Sequence, residues 1–143
     1  MNRATYINIR DIRNFPSFHD AELLGIEHDR EERFLELRFR RVGGELETLR
    51  FSGVTALRMI DFATQNVASR LLFSPRYMFS LAEVRFWIQW INSRDDSKAR
   101  DISEEQAGEY MRDLETGRRT LFVLEPSCGG EMAVLCESVS LKQ

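Results

Sequence analysis

The chain has 143 residues, 43% of them hydrophobic and 30% charged, with a formal net charge of −3. That apolar fraction supports a buried core and excludes an intrinsically disordered chain, and the length suits a single domain over 1–143. The small net charge gives no footprint for a nucleic-acid or membrane partner, no apolar run reaches the roughly 18 residues of a spanning helix, and the charged stretch 1–13 lacks the apolar centre of a leader, so a cytoplasmic compartment is expected.

Residues 5–10 alternate like an edge strand. Pro16 punctuates the chain and places a turn over 14–17. In 22–28, Leu24 and Ile26 fall on one face of a strand and Glu27 on the other. After the charged loop Asp29-Arg30-Glu31-Glu32, the residues Leu35, Leu37 and Phe39 alternate with Glu36, Arg38 and Arg40. This is the period-2 pattern of a strand with one wet face. Gly43-Gly44 suits a hairpin turn, and Leu49 and Phe51 then alternate with Thr48 and Arg50. The three segments form a meander.

Beyond Gly53, residues 54–62 are apolar, interrupted by Arg58 and Asp61, and 67–73 form a further strand ended by Ser74-Pro75. The polar 63–66 join them as a turn. Residues 83–92 carry Phe86, Trp87, Ile88, Trp90 and Ile91, and this aromatic and β-branched content favours a strand. A helix starting near Ser80 is the alternative; it would bury Val84, Trp87, Ile88 and Ile91. The polar run 93–101 is a surface loop.

One helix is well specified, near 103–117. Ser103 is its N-cap, and Gln106 completes a capping-box pattern. Glu104 and Glu105 sit where the helix dipole favours negative charge. Ala107, Tyr110, Met111 and Leu114 make an apolar stripe, and Gly117 stops it. A strand over 120–124, a loop over 126–130 and a returning strand over 132–141 complete a C-terminal hairpin. The fold class is therefore α+β, mainly antiparallel β-sheet, a meander plus a C-terminal hairpin with one amphipathic helix.

Chemistry is sparse. Cys128 and Cys136 read as two small hydrophobes in a reducing compartment, and no histidine stands near enough to make a metal pair with them. Ser127-Cys128-Gly129-Gly130 lacks the strand–turn–helix setting of a nucleophile elbow and reads as a hairpin turn. No phosphate-binding glycine loop is present, and no cofactor is expected. Basic residues cluster at Arg38, Arg40, Arg41 and Arg50, and Arg38, Arg40 and Arg50 share the wet face of the first hairpin. Glu36, Glu45 and Glu47 are interspersed, which points to cross-strand ion pairs and away from a nucleic-acid surface. Asp95, Asp96, Asp101, Glu104, Glu105, Glu109, Asp113 and Glu115 make the stretch around the helix acidic. Such a face is ordinarily a solvated helix exterior, and it can also steer a basic partner.

The densest polar cluster is His19, Asp20 and Glu22, the candidate binding residues. A His-Asp pair can form half of a metal site or an acid–base pair. On an extended chain these neighbours point to opposite faces unless a turn intervenes, and the chain has only one other histidine, His28. Capping of the turn before the first long strand is the plainer role.

Three pieces carry a resemblance: Phe18-His19-Asp20-Ala21-Glu22-Leu23; Leu49-Arg50-Phe51-Ser52-Gly53-Val54-Thr55-Ala56-Leu57 leading to Gln65-Asn66-Val67; and Glu125-Pro126-Ser127-Cys128-Gly129-Gly130-Glu131. Together they resemble a group of small bacterial domains, some grouped with the immunity proteins of polymorphic-toxin systems. The likeness spans most of the chain. It implies a β-rich domain and a protein-binding role, and brings no catalytic residues with it. The expectation is a non-catalytic module that neutralises a protein partner. Two alternatives stand beside it: a small metal-dependent hydrolase centred on His19 and Asp20, and a homo-oligomeric structural module using the aromatic block of Tyr77, Phe79, Phe86, Trp87 and Trp90.

Overall fold

The computed structural model describes residues 5–143; the first four residues of the charged stretch read against a leader lie outside them. Nine strands form one antiparallel sheet, and two helices pack on part of it. No helix among the described residues is long and apolar enough to cross a membrane.

The first strand, β1 (Tyr6–Asn8), is an edge strand, shorter than the alternation suggested because the chain turns into one turn of 3-10 helix, Ile9–Asp11. Residues 14–17 run as irregular chain with a bend at 13–14, and the turn falls later, at His19 and Asp20. The expected meander follows: β2 (Glu22–Asp29), β3 (Phe34–Arg40) and β4 (Leu46–Ser52). Leu35, Leu37, Phe39, Leu49 and Phe51 are all buried, as period-2 alternation requires of a sheet with one wet face. On that wet face Arg40 pairs with Glu22 and Arg50 with Glu36, and at the hairpin end Arg41 pairs with Glu45 and with Glu47, which lies opposite Phe39. In β2 the facing differs from the expectation. A bulge between Leu23 and Gly25 inserts one residue: Leu23, opposite Phe39, is buried, the inserted Leu24 is exposed, and Ile26 falls opposite Leu37 and is partly exposed. One extra residue is enough to change which side chains turn inward.

The remaining strands close the sheet into a ring. The chain leaves β4 through Gly53, held at φ 65, and continues as β5 (Ala56–Ile60). At the C-terminus β8 (Glu131–Cys136) passes into β9 (Ser138–Lys142) through Glu137 alone. The expected single strand over 132–141 is thus two strands joined at a bend. β9 pairs with β4 and β8 pairs with β5, so two bent ribbons run side by side. The amide of Glu137 donates to the Ser52 carbonyl at 3.0 Å and carries the ladder through the bend. β6 (Val67–Phe73) pairs with β2 at one end and along β7 (Thr120–Cys128), which pairs with β8. Pairing therefore passes from β4 through β3, β2, β6 and β7 to β8, and the chain itself, running on from β8 into β9, returns it to β4. Side chains meet inside: the rings of Phe51 and Phe122, from β4 and β7, lie 4.8 Å apart, and those of the cross-strand neighbours Phe73 and Phe122 lie 5.0 Å apart. Residues 126–128, expected in a loop, belong to β7. Pro126 sits opposite Ala68 between two register shifts, where a missing N–H is tolerated.

Two helices, not one, cover the outside of β7 and β8: α1 (Leu81–Asn92) and α2 (Glu104–Thr116). The expected strand over 83–92 is corrected to α1. Ser80 and Glu83 form a capping box, each side chain bonded to the other's backbone amide, and Val84, Ile88 and Ile91 recur at helical spacing and are buried. Tertiary packing of that stripe overrides the strand preference of the aromatic residues. α2 has the expected cap at Ser103, the reciprocal bond with Gln106 and the left-handed C-terminal Gly117 at φ 76. Both faces of β7 are consequently buried, Phe122 and Leu124 toward the ring and Leu121 and Val123 toward the helices.

Candidate functional site

His19 and Asp20 occupy the turn before β2. The turn brings the neighbours together: Asp20 has φ 61, and His19 Nδ1 lies 3.2 Å from Asp20 Oδ1, with both side chains more than half exposed. Glu22 is engaged elsewhere, accepting from Arg40 Nη2 at 3.0 Å. The bonds that hold the turn are mainly backbone ones. Ala21 N donates to Phe18 O, Asp20 N donates to Ala68 O, and the Ser17 hydroxyl oxygen accepts from His19 N. Phe18 and Ala21 anchor it in the ring core. Among the described residues no group of three or more His, Cys, Asp or Glu side chains is arranged to hold a metal ion. A solvent-open imidazole–carboxylate pair is the chemistry this corner offers.

Next to this corner sits a buried polar junction. Asn66 is 4% exposed, and its Oδ1 accepts from Ala63 N at 3.0 Å and from Gly130 N at 2.8 Å, while Nδ2 donates to Ala63 O at 2.8 Å. Leu23 N donates to Asn66 O. Gly129 has φ 78, and a Cβ there would stand 2.5 Å from Asn66 Oδ1, so glycine is required. The segments 18–23, 65–67 and 125–131 therefore converge through structural bonds. Cys128, at the end of β7, is free and exposed; Cys136 is free and buried, and burial pushes its thiol up.

The helical layer has a different character. Phe86 on α1 is 55% exposed and stacks edge-on against Trp87, which does the same against Trp90. The Arg58 guanidinium lies over the Trp90 ring at 4.7 Å, donates to Trp90 O and pairs with Asp95. Leu81 is partly exposed and Met78 is 81% exposed. Arg85 reaches Asp101 at 2.9 Å and Glu104 at 3.9 Å, tying α1 to the start of α2. Tyr77 donates to Glu83 Oε2 at 2.7 Å. The Ser80 backbone amide, helped by that phenol, holds the Glu83 carboxyl below its usual range.

α2 is the charged element of the molecule. It carries five acids, Glu104, Glu105, Glu109, Asp113 and Glu115, against Arg112, a net −4 where the whole chain is −3. Two of its residues run against helix preference. Gly108, mid-helix, lowers stability by about 1 kcal/mol relative to alanine. Glu115 stands in the last turn, where the dipole disfavours negative charge and no basic residue is present.

Against known proteins the chain matches no family model, no curated protein and no solved structure. The site must be read from its own residues. The aromatic block is visible in the sequence. The exposure of Met78, Leu81 and Phe86 is not, because apolar residues at helical spacing read equally well as core. A signal was available for α1 itself, since Ser80 precedes Glu83 by the same three residues that separate Ser103 from Gln106.

Proposed function

We propose that this protein is a non-catalytic protein-binding module of the immunity type, which neutralises a toxic protein partner by covering it. The observation that carries this reading is the outer side of the helical layer. Phe86, Leu81 and Met78 stand exposed there beside Asp101, Glu104 and Glu115. Large apolar side chains within a charged rim are the composition of an interface centre and its border. The resemblance of three of its segments to immunity-type domains supports the same reading.

The test is co-expression with the product of a neighbouring toxin-domain gene. The expected result is protection of the cells and a stable complex on size-exclusion chromatography. A neighbouring toxin that kills equally well with and without this protein overturns the reading.

A further inference from the structure

Glu104, Gly108, Met111 and Glu115 follow one another at spacings of four, three and four, and so lie along one flank of α2. The flank is roughly 16 Å long at 1.5 Å per residue. A hollow lies at each end. One, of about 440 Å³, is lined by Leu81, Arg85, Phe86, Asp101 and Glu104. The other, of about 250 Å³, is lined by Tyr77, Met78, Phe79, Met111, Leu114 and Glu115. Between them the surface is open over Gly108: a Cβ added there would meet only Arg112 Nη1, at 3.8 Å. The fold of the chain itself therefore does not demand a glycine at 108, and helix stability argues against one. Helix stability argues against an acid at 115 too. Positions where local preference is broken without local gain are where function is expected.

We infer that this flank of α2, with its two hollows, seats a basic protein segment carrying an apolar side chain. The inference rests on the protein-binding reading above and names the partner's chemistry. Charge selects the occupant. α2 carries a net −4 against +1 for the remaining residues; Asp113 is paired with Arg118 and Arg119, while Glu105, Glu109 and Glu115 make no ion pair among the described residues, so the element keeps negative charge that attracts a cationic segment. Its positive groups meet Glu115 at one end and share Asp101 and Glu104 with Arg85 at the other. Its apolar side chain enters the hollow between Met78 and Met111, two flexible thioethers able to repack around it. Gly108 lets its backbone approach the helix.

The probe is a capped synthetic peptide, Lys-Leu-Arg-Leu-Lys, with Glu-Leu-Glu-Leu-Glu as its control, titrated into the ¹⁵N-labelled full chain. Shift changes are expected at 104–115 and around Met78 with the basic peptide alone, weakening as salt is raised. Gly108→Leu should raise the thermal midpoint, since leucine is the better helix former, yet weaken binding about tenfold by occupying the seat. Glu115→Gln should weaken binding several-fold with the fold intact. Shift changes elsewhere, equal response to the acidic peptide, or unchanged affinity in Gly108→Leu overturns the inference. The two proposals fail separately. Peptide seating without protection from any neighbouring toxin leaves the groove and removes the immunity role. A toxin complex indifferent to Gly108→Leu and Glu115→Gln leaves the role and removes the groove.

Discussion

The interior of the strand ring and the outer flank of the helical layer are built to opposite rules. Inside the ring each large side chain is met by another: Phe15 touches Phe18 and Phe73, Phe18 touches Phe39, and Phe122 touches both Phe51 and Phe73. No described buried side-chain nitrogen or oxygen lacks a hydrogen-bond partner. On the helical flank, large apolar side chains stand in solvent, a glycine interrupts a helix and an acid occupies its C-terminal turn. The contrast teaches where stability resides and where freedom has been kept. The ring can hold the fold without the outer flank being optimised, which leaves that flank available to a partner.

The largest test of this division is Phe122→Ala. It opens a cavity at the meeting of two aromatic pairs and should lower stability by about 3–5 kcal/mol, read from urea unfolding. A loss under about 1 kcal/mol would place the stabilising core elsewhere. Asn66→Ala comes next. It strips the partner from the amides of Ala63 and Gly130 and unties the β5–β6 turn from the β7–β8 turn. An unsatisfied buried amide is worth about 1–3 kcal/mol, so a loss of at least about 2 kcal/mol in the same assay is expected. An unchanged unfolding midpoint would mean water or relaxation replaces the side chain.

Legibility in the sequence follows the same division. The meander was readable because its alternation is a direct image of one buried face, and α2 because both of its ends carry capping residues. Arg40, Arg41 and Arg50 read correctly as ion-paired because glutamates lie on the neighbouring strands of the meander. What was not readable depends on long-range pairing. The bulge at Leu24 and the bends at Gly53 and Glu137 leave no strong local mark, since they exist to let distant strands close a ring. α1 was obscured by its own composition: Phe86, Trp87 and Trp90 prefer strands when their tertiary partners are unknown. At the candidate site, His19 and Asp20 drew attention by residue type. The helical flank is assembled from residues separated by up to 41 positions, from Ser74 to Glu115, and its meaning lies in exposure, which composition alone does not give.

A smaller effect on the fold, and a sharper one on function, is expected from Phe86→Gln. Glutamine is a good helix former and the site is exposed, so stability should move by no more than about 0.5 kcal/mol. Complex formation with a protein partner should be lost or strongly weakened, measured by calorimetry. A large drop in stability with unchanged binding would transfer Phe86 to the core side of the comparison.

The least effect is a pH dependence at the seam between the two regions. Tyr77 and Glu83 join the segment after β6 to the first turn of α1. The folded-state pKa of Glu83 is lowered, first by the Ser80 amide and then by the Tyr77 phenol, against desolvation that raises it. A carboxyl whose folded pKa lies below its unfolded value contributes stability above the unfolded value, near 4.5, and that contribution is lost as pH falls through the folded value. Tyr77→Phe removes the phenol donor but leaves the ring against Phe79. Its thermal midpoint should therefore fall below that of the parent at neutral pH, and the gap should narrow once Glu83 is protonated. A gap that stays constant from pH 7 down to pH 3 would mean that the phenol contributes by packing alone, with no bond to the charged carboxylate.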